Sequence, residues 1–117
     1  MSLYTYKFHC TRVVDGDTVD GRIDLGFNLG MDTRVRLSGF DAPETWRPKS
    51  DEEREAGLLV TQYLAQLIEG VPLILKSHRL DLYNRAIGEL FIGDASVNAE
   101  VMAFIADNQL EKARFRP

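Results

Sequence analysis

Alternating apolar and polar residues predict strands near the start of the chain. The alternation runs over residues 4–10 and returns over residues 19–25, and the pair Asp15-Gly16 lies between the two segments. This period of two is typical of strands with one buried face, because successive side chains point to opposite sides of a sheet. Asp-Gly favours a tight turn, so the two segments are predicted to form a hairpin.

A third strand is predicted over residues 33–37, after a loop that contains Gly26, Asn28 and Gly30. Pro43 follows the strand and cannot donate a backbone hydrogen bond, so the strand is not expected to continue into the sheet. The first third of the chain is therefore predicted to be a three-stranded meander.

The apolar period then changes to that of a helix, which begins near Ser50 and ends before Gly70. Apolar residues alternate spacings of three and one, which places them on one stripe that we expect to face the sheet. Ser50 and Glu53 have the spacing of a capping box, and glycine favours the left-handed conformation that ends a helix. The stripe consists of Ala56, Leu59, Val60, Tyr63, Leu64, Leu67 and Ile68.

Two more strands and a second helix complete the predicted order. Residues 73–75 and 87–92 form the fourth and fifth strands, and the second helix follows from residue 96 to residue 107 after a turn at Gly93-Asp94. Five strands, with one helix between the third and fourth and another after the fifth, predict an α+β fold with a five-stranded β-barrel of the OB type. Such barrels often hold nucleic acids or sugars, but the fold does not determine the function.

The composition restricts the classes of function. The 117 residues suit a single domain, predicted to cover residues 1–117, and 44% hydrophobic residues supply its core. The formal net charge of −4 repels polyanions, so contact with nucleic acid requires a local cluster of basic residues. No apolar run approaches the roughly 20 residues of a membrane span, so no membrane partner is expected. The first residues lack the features of a signal peptide, which favours an intracellular location without establishing one.

Three short motifs carry residues that can do chemistry. The first is Asp15-Gly16-Asp17-Thr18, and the second, Arg-Leu-Ser-Gly-Phe-Asp-Ala-Pro-Glu, runs from Arg36 to Glu44. The third, Asp-Leu-Tyr-Asn-Arg, occupies residues 81–85. Each one alone has a plainer interpretation, as a hairpin turn, an exposed polar loop or a solvated connection between strands. Together they supply carboxylates for a hard cation and arginines for an anion.

In order and spacing the three motifs resemble those of the staphylococcal nuclease (thermonuclease) family. The resemblance extends from about Phe8 to the start of the second predicted helix. It implies a calcium-dependent endonuclease that cleaves DNA or RNA with little sequence preference and leaves 3′-phosphates. It also implies that calcium binds the carboxylates of Asp17 and Asp41 and the backbone carbonyl of Ala42.

The same resemblance implies roles for four further residues. Arg36 and Arg85 would hold the scissile phosphate, Glu44 would act as general base or order the attacking water, and Tyr83 would assist in binding the substrate. These roles agree with phosphodiester hydrolysis, in which negative charge builds on the phosphate oxygens and the attacking water loses a proton. A module on the same barrel that binds nucleic acid or protein without cleaving is the alternative.

The end of the chain departs from the family pattern, because no third helix with tyrosines follows the second helix. The surface left by that helix is expected to be covered by the chain's own basic tail, residues 112–116, or by a second copy in a homodimer. Trp46 is expected either to stack on a base or to pack over the barrel rim. His9 and His78 have no partners at zinc-binding spacing, so no zinc is expected.

Overall fold

The computed structural model describes residues 4–80 and 85–115, and within them six strands form one sheet. Neighbouring strands in the order β3-β2-β1-β4-β5-β6 are antiparallel, and β3 also pairs in parallel with β5, which closes the first five strands into a barrel. The predicted α+β barrel with two helices is confirmed. The elements in chain order are β1 (Thr5–Asp15), β2 (Thr18–Gly26), β3 (Leu29–Leu37), α1 (Asp51–Ile68), β4 (Leu73–Leu80), β5 (Ala86–Ile92), β6 (Ala95–Ser96), α2 (Val97–Asp107) and a short 3₁₀ helix (Lys112–Phe115).

The turn between β2 and β3 is tighter than the sequence predicted. Phe27 and Asn28 have positive φ angles of 54° and 64°, so two residues join the strands and β3 begins at Leu29. Positive φ at both central residues is typical of the turns whose twist matches that of a hairpin. The predicted loop over Gly26, Asn28 and Gly30 is therefore wrong, because Gly30 already lies within β3.

β4 is also longer than its apolar run. The run at residues 73–75 predicted a short strand, whereas pairing with β5 continues to Leu80, which lies opposite Ala86. The additional residues are largely exposed, so they carry no alternation of buried apolar side chains. Pairing along β5, and not the hydrophobic pattern, determines where this strand ends.

α1 packs most of its predicted apolar stripe against the barrel. Ala56, Val60, Leu64 and Ile68 are buried, whereas Leu59 is 50% exposed. The buried residues are spaced by four along the helix, and Leu59 lies at the edge of the stripe. The expectation that the whole stripe faces the sheet is therefore wrong for Leu59.

The ends of α1 follow the predicted signals with one difference. Ser50 Oγ accepts a hydrogen bond from the backbone N–H of Glu53 at 3.1 Å, and Gly70 has a φ of 68° just after the helix. The buried Glu53 carboxylate accepts from the N–H of Lys49 at 2.6 Å. The reciprocal bond of a capping box goes to the N-cap residue itself, so here it is displaced by one residue.

Asn98, in the first turn of α2, is buried and joins this helix to the barrel. Its Oδ1 accepts from the N–H of Leu90 at 3.1 Å, and its Nδ2 donates to the carbonyls of Ser38 at 3.0 Å and Gly88 at 3.2 Å. One side chain thus provides partners for backbone groups of β5 and of the segment that follows β3. Buried polar groups of this kind are costly to leave without a partner.

The segment after α2 folds back onto the protein. The side chain of Leu110 packs against the core, and its N–H donates to the carbonyl of Ile105 at 2.9 Å. Leu110 thus holds the chain after α2 against the core, and nothing in the described residues supports the expected homodimer. No helix within the described segments is long and apolar enough to cross a membrane.

We expect Asn98→Ala to lower the free energy of unfolding by about 2 kcal/mol, because it removes the side-chain partner of the buried N–H of Leu90 and of the carbonyl of Ser38, while the carbonyl of Gly88 keeps the N–H of Ser38. Asn108→Ala is the matched control, since the exposed Asn108 also donates an amide hydrogen bond to a backbone carbonyl, that of Phe104 at 2.9 Å. Water can replace that partner, so we expect a loss within about 0.5 kcal/mol. Denaturant unfolding measures both, and equal losses would contradict the role of Asn98.

Candidate functional site

A cleft of about 450 Å³ opens at one rim of the barrel, where the β1–β2 turn, the end of β3 and the start of β5 meet. The strand register explains this meeting, because Thr18 pairs with Arg36, and Arg36 pairs with Ile87. The five charged residues predicted for the site all line this cleft. Its charged lining consists of Asp15, Asp17, Arg34, Arg36, Asp41, Glu44, Arg85 and Lys112.

The side chain of Asp17 lies at the base of the cleft and is almost buried. Its Oδ1 accepts from the hydroxyl of Thr18 at 2.9 Å, and its Oδ2 accepts from the N–H of Ala42 at 2.8 Å. Its backbone carbonyl accepts from the N–H of Leu37 at 2.7 Å. These bonds connect the β1–β2 turn to the end of β3 and to the loop beyond it.

Arg36 connects the two predicted metal-binding carboxylates. Its Nη2 lies 3.3 Å from Asp17 Oδ2 and donates a hydrogen bond to Asp41 Oδ1, while Nη1 donates to the carbonyl of Leu37 at 2.6 Å. The Arg36 side chain is 20% exposed and that of Asp41 is 68% exposed. One nitrogen therefore contacts both carboxylates, and their oxygens converge from two separate segments of the chain.

The oxygen atoms at this point suit a calcium ion. Asp17 and Asp41 provide carboxylates, and the buried Ala42 lies beside Asp17 through its N–H. Oxygen ligands of this type are those that calcium prefers, with water completing the coordination. Within residues 4–80 and 85–115 there is no group of three or more His, Cys, Asp or Glu residues able to hold a metal. The residues thus fit a weak site built from two carboxylates.

Glu44 is paired with a residue that the sequence did not identify. Lys112, in the 3₁₀ helix, donates from Nζ to Glu44 Oε1 at 3.0 Å, and the Glu44 side chain is 40% exposed. The carboxylate of Glu44 raises the pKa of Lys112, so the ammonium stays charged through the neutral range. The sequence shows that residues 112–116 are rich in basic residues, but only the folded chain shows that Lys112 reaches the cleft.

The loop that carries Glu44 rests on a glycine of α1. A Cβ added to Gly57 would lie 2.7 Å from the carbonyl oxygen of Pro43, 2.8 Å from Thr45 Cγ2 and 3.1 Å from the carbonyl oxygen of Glu44. Backbone atoms cannot yield to such a contact as a flexible side chain can. Gly57 therefore allows the loop to approach the helix closely enough to present Glu44 to the cleft.

Asp15, whose motif alone favoured a hairpin turn over a cation ligand, also lines the cleft. Its Oδ1 accepts from the N–H of Gly16 at 3.1 Å and from the hydroxyl of Thr45 at 3.2 Å, and it lies 3.4 Å from Thr61 Oγ1, which donates its proton to the carbonyl of Gly57 at 2.7 Å. Burial is the main cause that raises the pKa of Asp15, and the negative charge of Asp17 adds to the increase. The ionised side chain thus costs stability that the hydrogen bonds only partly offset.

The two remaining predicted residues are the arginine and the tyrosine of the third motif. Arg85 precedes β5, is partly buried and lines the cleft. Tyr83 lies outside the described residues. Arg34, which also lines the cleft, donates from Nε and Nη2 to Asp20 at 2.7 Å and 3.1 Å, and these bonds lower the pKa of Asp20.

The fold and the site define an OB-type barrel with a charged cleft at the rim where the β1–β2 turn meets β3 and β5. Its sequence is similar to that of thermonuclease from Staphylococcus intermedius, with 32% identity over 109 residues. The aligned part is 91% of this chain and 58% of the thermonuclease, so the chain spans a little more than half the length of that relative. No protein-family model matches the chain. The sequence similarity and the barrel together support a staphylococcal-nuclease-like domain.

We expect Asp15→Asn to raise the melting temperature near pH 7 when a chelator is present. Asparagine keeps the Oδ1 acceptor of the hydrogen bonds from Gly16 and Thr45 and removes a charge whose burial is unfavourable. Because the pKa of Asp15 is raised from 3.8, the wild-type carboxyl favours folding when it is protonated and loses that contribution as the pH rises through its raised pKa. The increase in melting temperature caused by the substitution should therefore shrink as the pH falls toward 3.8, the ordinary pKa of an aspartate.

Asp24→Asn is the control, since the exposed Asp24 also accepts a backbone hydrogen bond, from Gly26 at 2.8 Å. Thermal unfolding of the three proteins at several pH values gives the comparison. A melting temperature of Asp15→Asn at or below that of the wild type near pH 7 would contradict the burial cost.

Proposed function

We propose that this domain is a calcium-dependent endonuclease that hydrolyses phosphodiester bonds of DNA or RNA with low sequence specificity and leaves 3′-phosphates. The observation that carries the proposal is the presence in one cleft of two arginines, a solvent-accessible glutamate and two converging carboxylates. The similarity to a thermonuclease supports the same class of reaction. The substrate is a single-stranded or double-stranded nucleic acid, and comparison of single-strand and duplex binding distinguishes the two.

Arg36 and Arg85 are the proposed phosphate-binding residues. A guanidinium has five N–H donors, so Arg36 can keep its contacts to Asp17, Asp41 and Leu37 and still donate to a phosphate oxygen. Planar guanidiniums form paired hydrogen bonds with phosphates. Such bonds strengthen as negative charge accumulates on the phosphate oxygens, which lowers the barrier to hydrolysis.

Glu44 is the proposed general base. Its carboxylate would take a proton from water while the water oxygen forms a bond to phosphorus and the bond from phosphorus to the 5′ oxygen breaks. The departing 5′ oxygen would take up a proton from solvent water, so the products are a 3′-phosphate and a 5′-hydroxyl. Lys112 donates to Oε1 of Glu44, so Oε2 is the oxygen that would accept the proton, and an incoming phosphate is an anion to which Lys112 can also donate.

Asp17, Asp41 and the carbonyl of Ala42 would hold the calcium ion. The ion, when bound, would neutralise charge on a phosphate oxygen. Hydrogen bonds from Thr18 and Ala42 fix the carboxylate of Asp17, so this proposed ligand is already oriented. Asp41 is exposed and held only by Arg36 among the contacts described above, so its carboxylate can turn toward a cation.

The ion pair between Lys112 and Glu44 favours a second candidate, a module that binds nucleic acid without cleaving it. In that protein the pair would stay closed and Glu44 would never act as a base. The two functions differ in one measurable property, which is cleavage in the presence of calcium.

The test of hydrolysis is Glu44→Gln, which we expect to lower the rate of cleavage of labelled single-stranded DNA and RNA by about 10²–10⁴-fold with calcium present. Glu111→Gln is the matched control, because Glu111 also accepts from a cationic side chain, Arg114, at 3.0 Å and is similarly exposed. It lies outside the cleft lining, so its rate should stay within about twofold of the wild type. Binding without cleavage by the wild type in every divalent metal would favour the second candidate.

The test of the metal site is Asp41→Asn, which we expect to weaken calcium binding at least about 10-fold from a starting dissociation constant of roughly 10⁻⁴–10⁻³ M. Asp32→Asn is the control, since the exposed Asp32 is also paired with an arginine, Arg22, at 3.1 Å. Titration of each protein with calcium, followed by the rise in melting temperature, reports the affinity. Equal calcium affinity of the two variants would remove Asp41 from the proposed site.

A further inference from the structure

A second groove, of about 680 Å³, adjoins the cleft. Glu44, Trp46 and Lys112 line both spaces, so the groove and the cleft share one wall. Arg47 and Lys49 also line the groove. The groove is therefore within reach of a nucleotide next to a phosphate held in the cleft.

Trp46 is presented to solvent and does not pack over the barrel rim, which corrects one of the two expectations for this residue. Its side chain is 71% exposed, although it is large and apolar. The guanidinium of Arg47 lies 4.4 Å from the centre of the Trp46 ring. Arg47 thus covers one face of the indole by a cation–π contact, and the high exposure leaves the other face open.

The charges of the groove suit a phosphate. Arg47, Lys49 and Lys112 contribute three basic groups. Glu44 and Glu53 also line it, so basic groups exceed acidic ones by one; Glu44 is paired with Lys112, and Glu53 accepts from the backbone N–H of Lys49. The net charge of the chain is −4, so this basic cluster is a local exception of the kind that binding of a polyanion requires.

We propose that the groove binds the nucleotide adjacent to the scissile phosphate, with its base stacked on the open face of Trp46 and its phosphate near Lys49 and Lys112. This inference rests on the proposed function of the cleft. A base can lie on an indole only when it is unstacked from its own strand, so the preferred substrate is a single strand. Every base has an aromatic face, which agrees with low sequence specificity.

The single tryptophan makes the contact directly observable, because Trp46 is the only source of tryptophan fluorescence. The probe is a short oligothymidylate added to the Glu44→Gln variant in a chelator, so that no cleavage occurs. Stacking should quench the fluorescence until the site is saturated. Anisotropy of the same oligothymidylate carrying a fluorescent label should give the same dissociation constant as the quenching titration.

Trp46→Leu, made in the Glu44→Gln background, should weaken binding of the single strand on the order of 10-fold and change binding of a duplex of equal length little. Phe27→Leu is the matched control, because Phe27 is an aromatic residue with 97% exposure in the turn at the opposite end of β2. Both variants remove an exposed ring, so neither should disturb folding. The control should bind both nucleic acids as the parent does.

The outcomes separate this inference from the proposed function. Quenching and a Trp46→Leu defect in a protein that never cleaves would retain the groove and overturn the nuclease. Cleavage by the wild type with unquenched tryptophan, or equal binding by Trp46→Leu and Phe27→Leu, would retain the nuclease and overturn the groove. Equal weakening of single-strand and duplex binding by Trp46→Leu would also overturn the proposed preference for a single strand.

Discussion

The rest of the site depends on the hydrogen bonds that Asp17 accepts, and its carboxylate is nearly buried. Its backbone carbonyl accepts from Leu37 and its Oδ2 accepts from Ala42, so a single residue fixes a turn, a strand end and a loop relative to one another. Arg36 then adds a contact between this carboxylate and that of Asp41. A carboxylate that accepts a backbone hydrogen bond in a poorly hydrated environment is held in one orientation. The groups that are hydrogen-bonded to it are positioned by the same contacts. The positions of Arg36 and of the loop that carries Asp41 and Ala42 can be traced to this junction.

The electrostatics of the cleft differ from those of the whole chain. Four carboxylates and four basic side chains line it among the residues that the structure describes, whereas the chain has a net charge of −4. Charges separated by more than about 8 Å are largely screened at physiological ionic strength. A phosphate in the cleft therefore responds mainly to the guanidiniums and the ammonium within reach. The excess acid elsewhere limits long-range attraction of a polyanion, and it leaves the local affinity largely unchanged.

The sequence predicts the fold better than it predicts the site, for a physical reason. Periods of two and of 3.6 residues follow from burial of one face, so they reveal the barrel order and most of the α1 stripe. The sequence does not predict the turn at Phe27-Asn28, because one of its two residues with positive φ is a phenylalanine, which rarely adopts that conformation. The contact of Lys112 with Glu44 joins positions 68 residues apart, and no local pattern encodes it. Register brings Thr18, Arg36 and Ile87 together, and with them the strand ends that the motifs occupy, whereas Asp41 and Glu44 lie in the loop beyond β3, which is held by tertiary contacts.

Gly57 shows how a helix contributes to the site without placing any side chain in it. Glycine inside a helix costs about 1 kcal/mol relative to alanine, so its presence in α1 has to be offset by another contact. That contact is the approach of the loop, where the carbonyl oxygen of Pro43 and Thr45 Cγ2 would lie within 2.8 Å of an added Cβ. Glu44 lies between these two residues, and the same loop continues to Trp46. The distance between helix and loop thus determines the position of the proposed base in the cleft and of the indole in the adjoining groove, which makes α1 the common support of both.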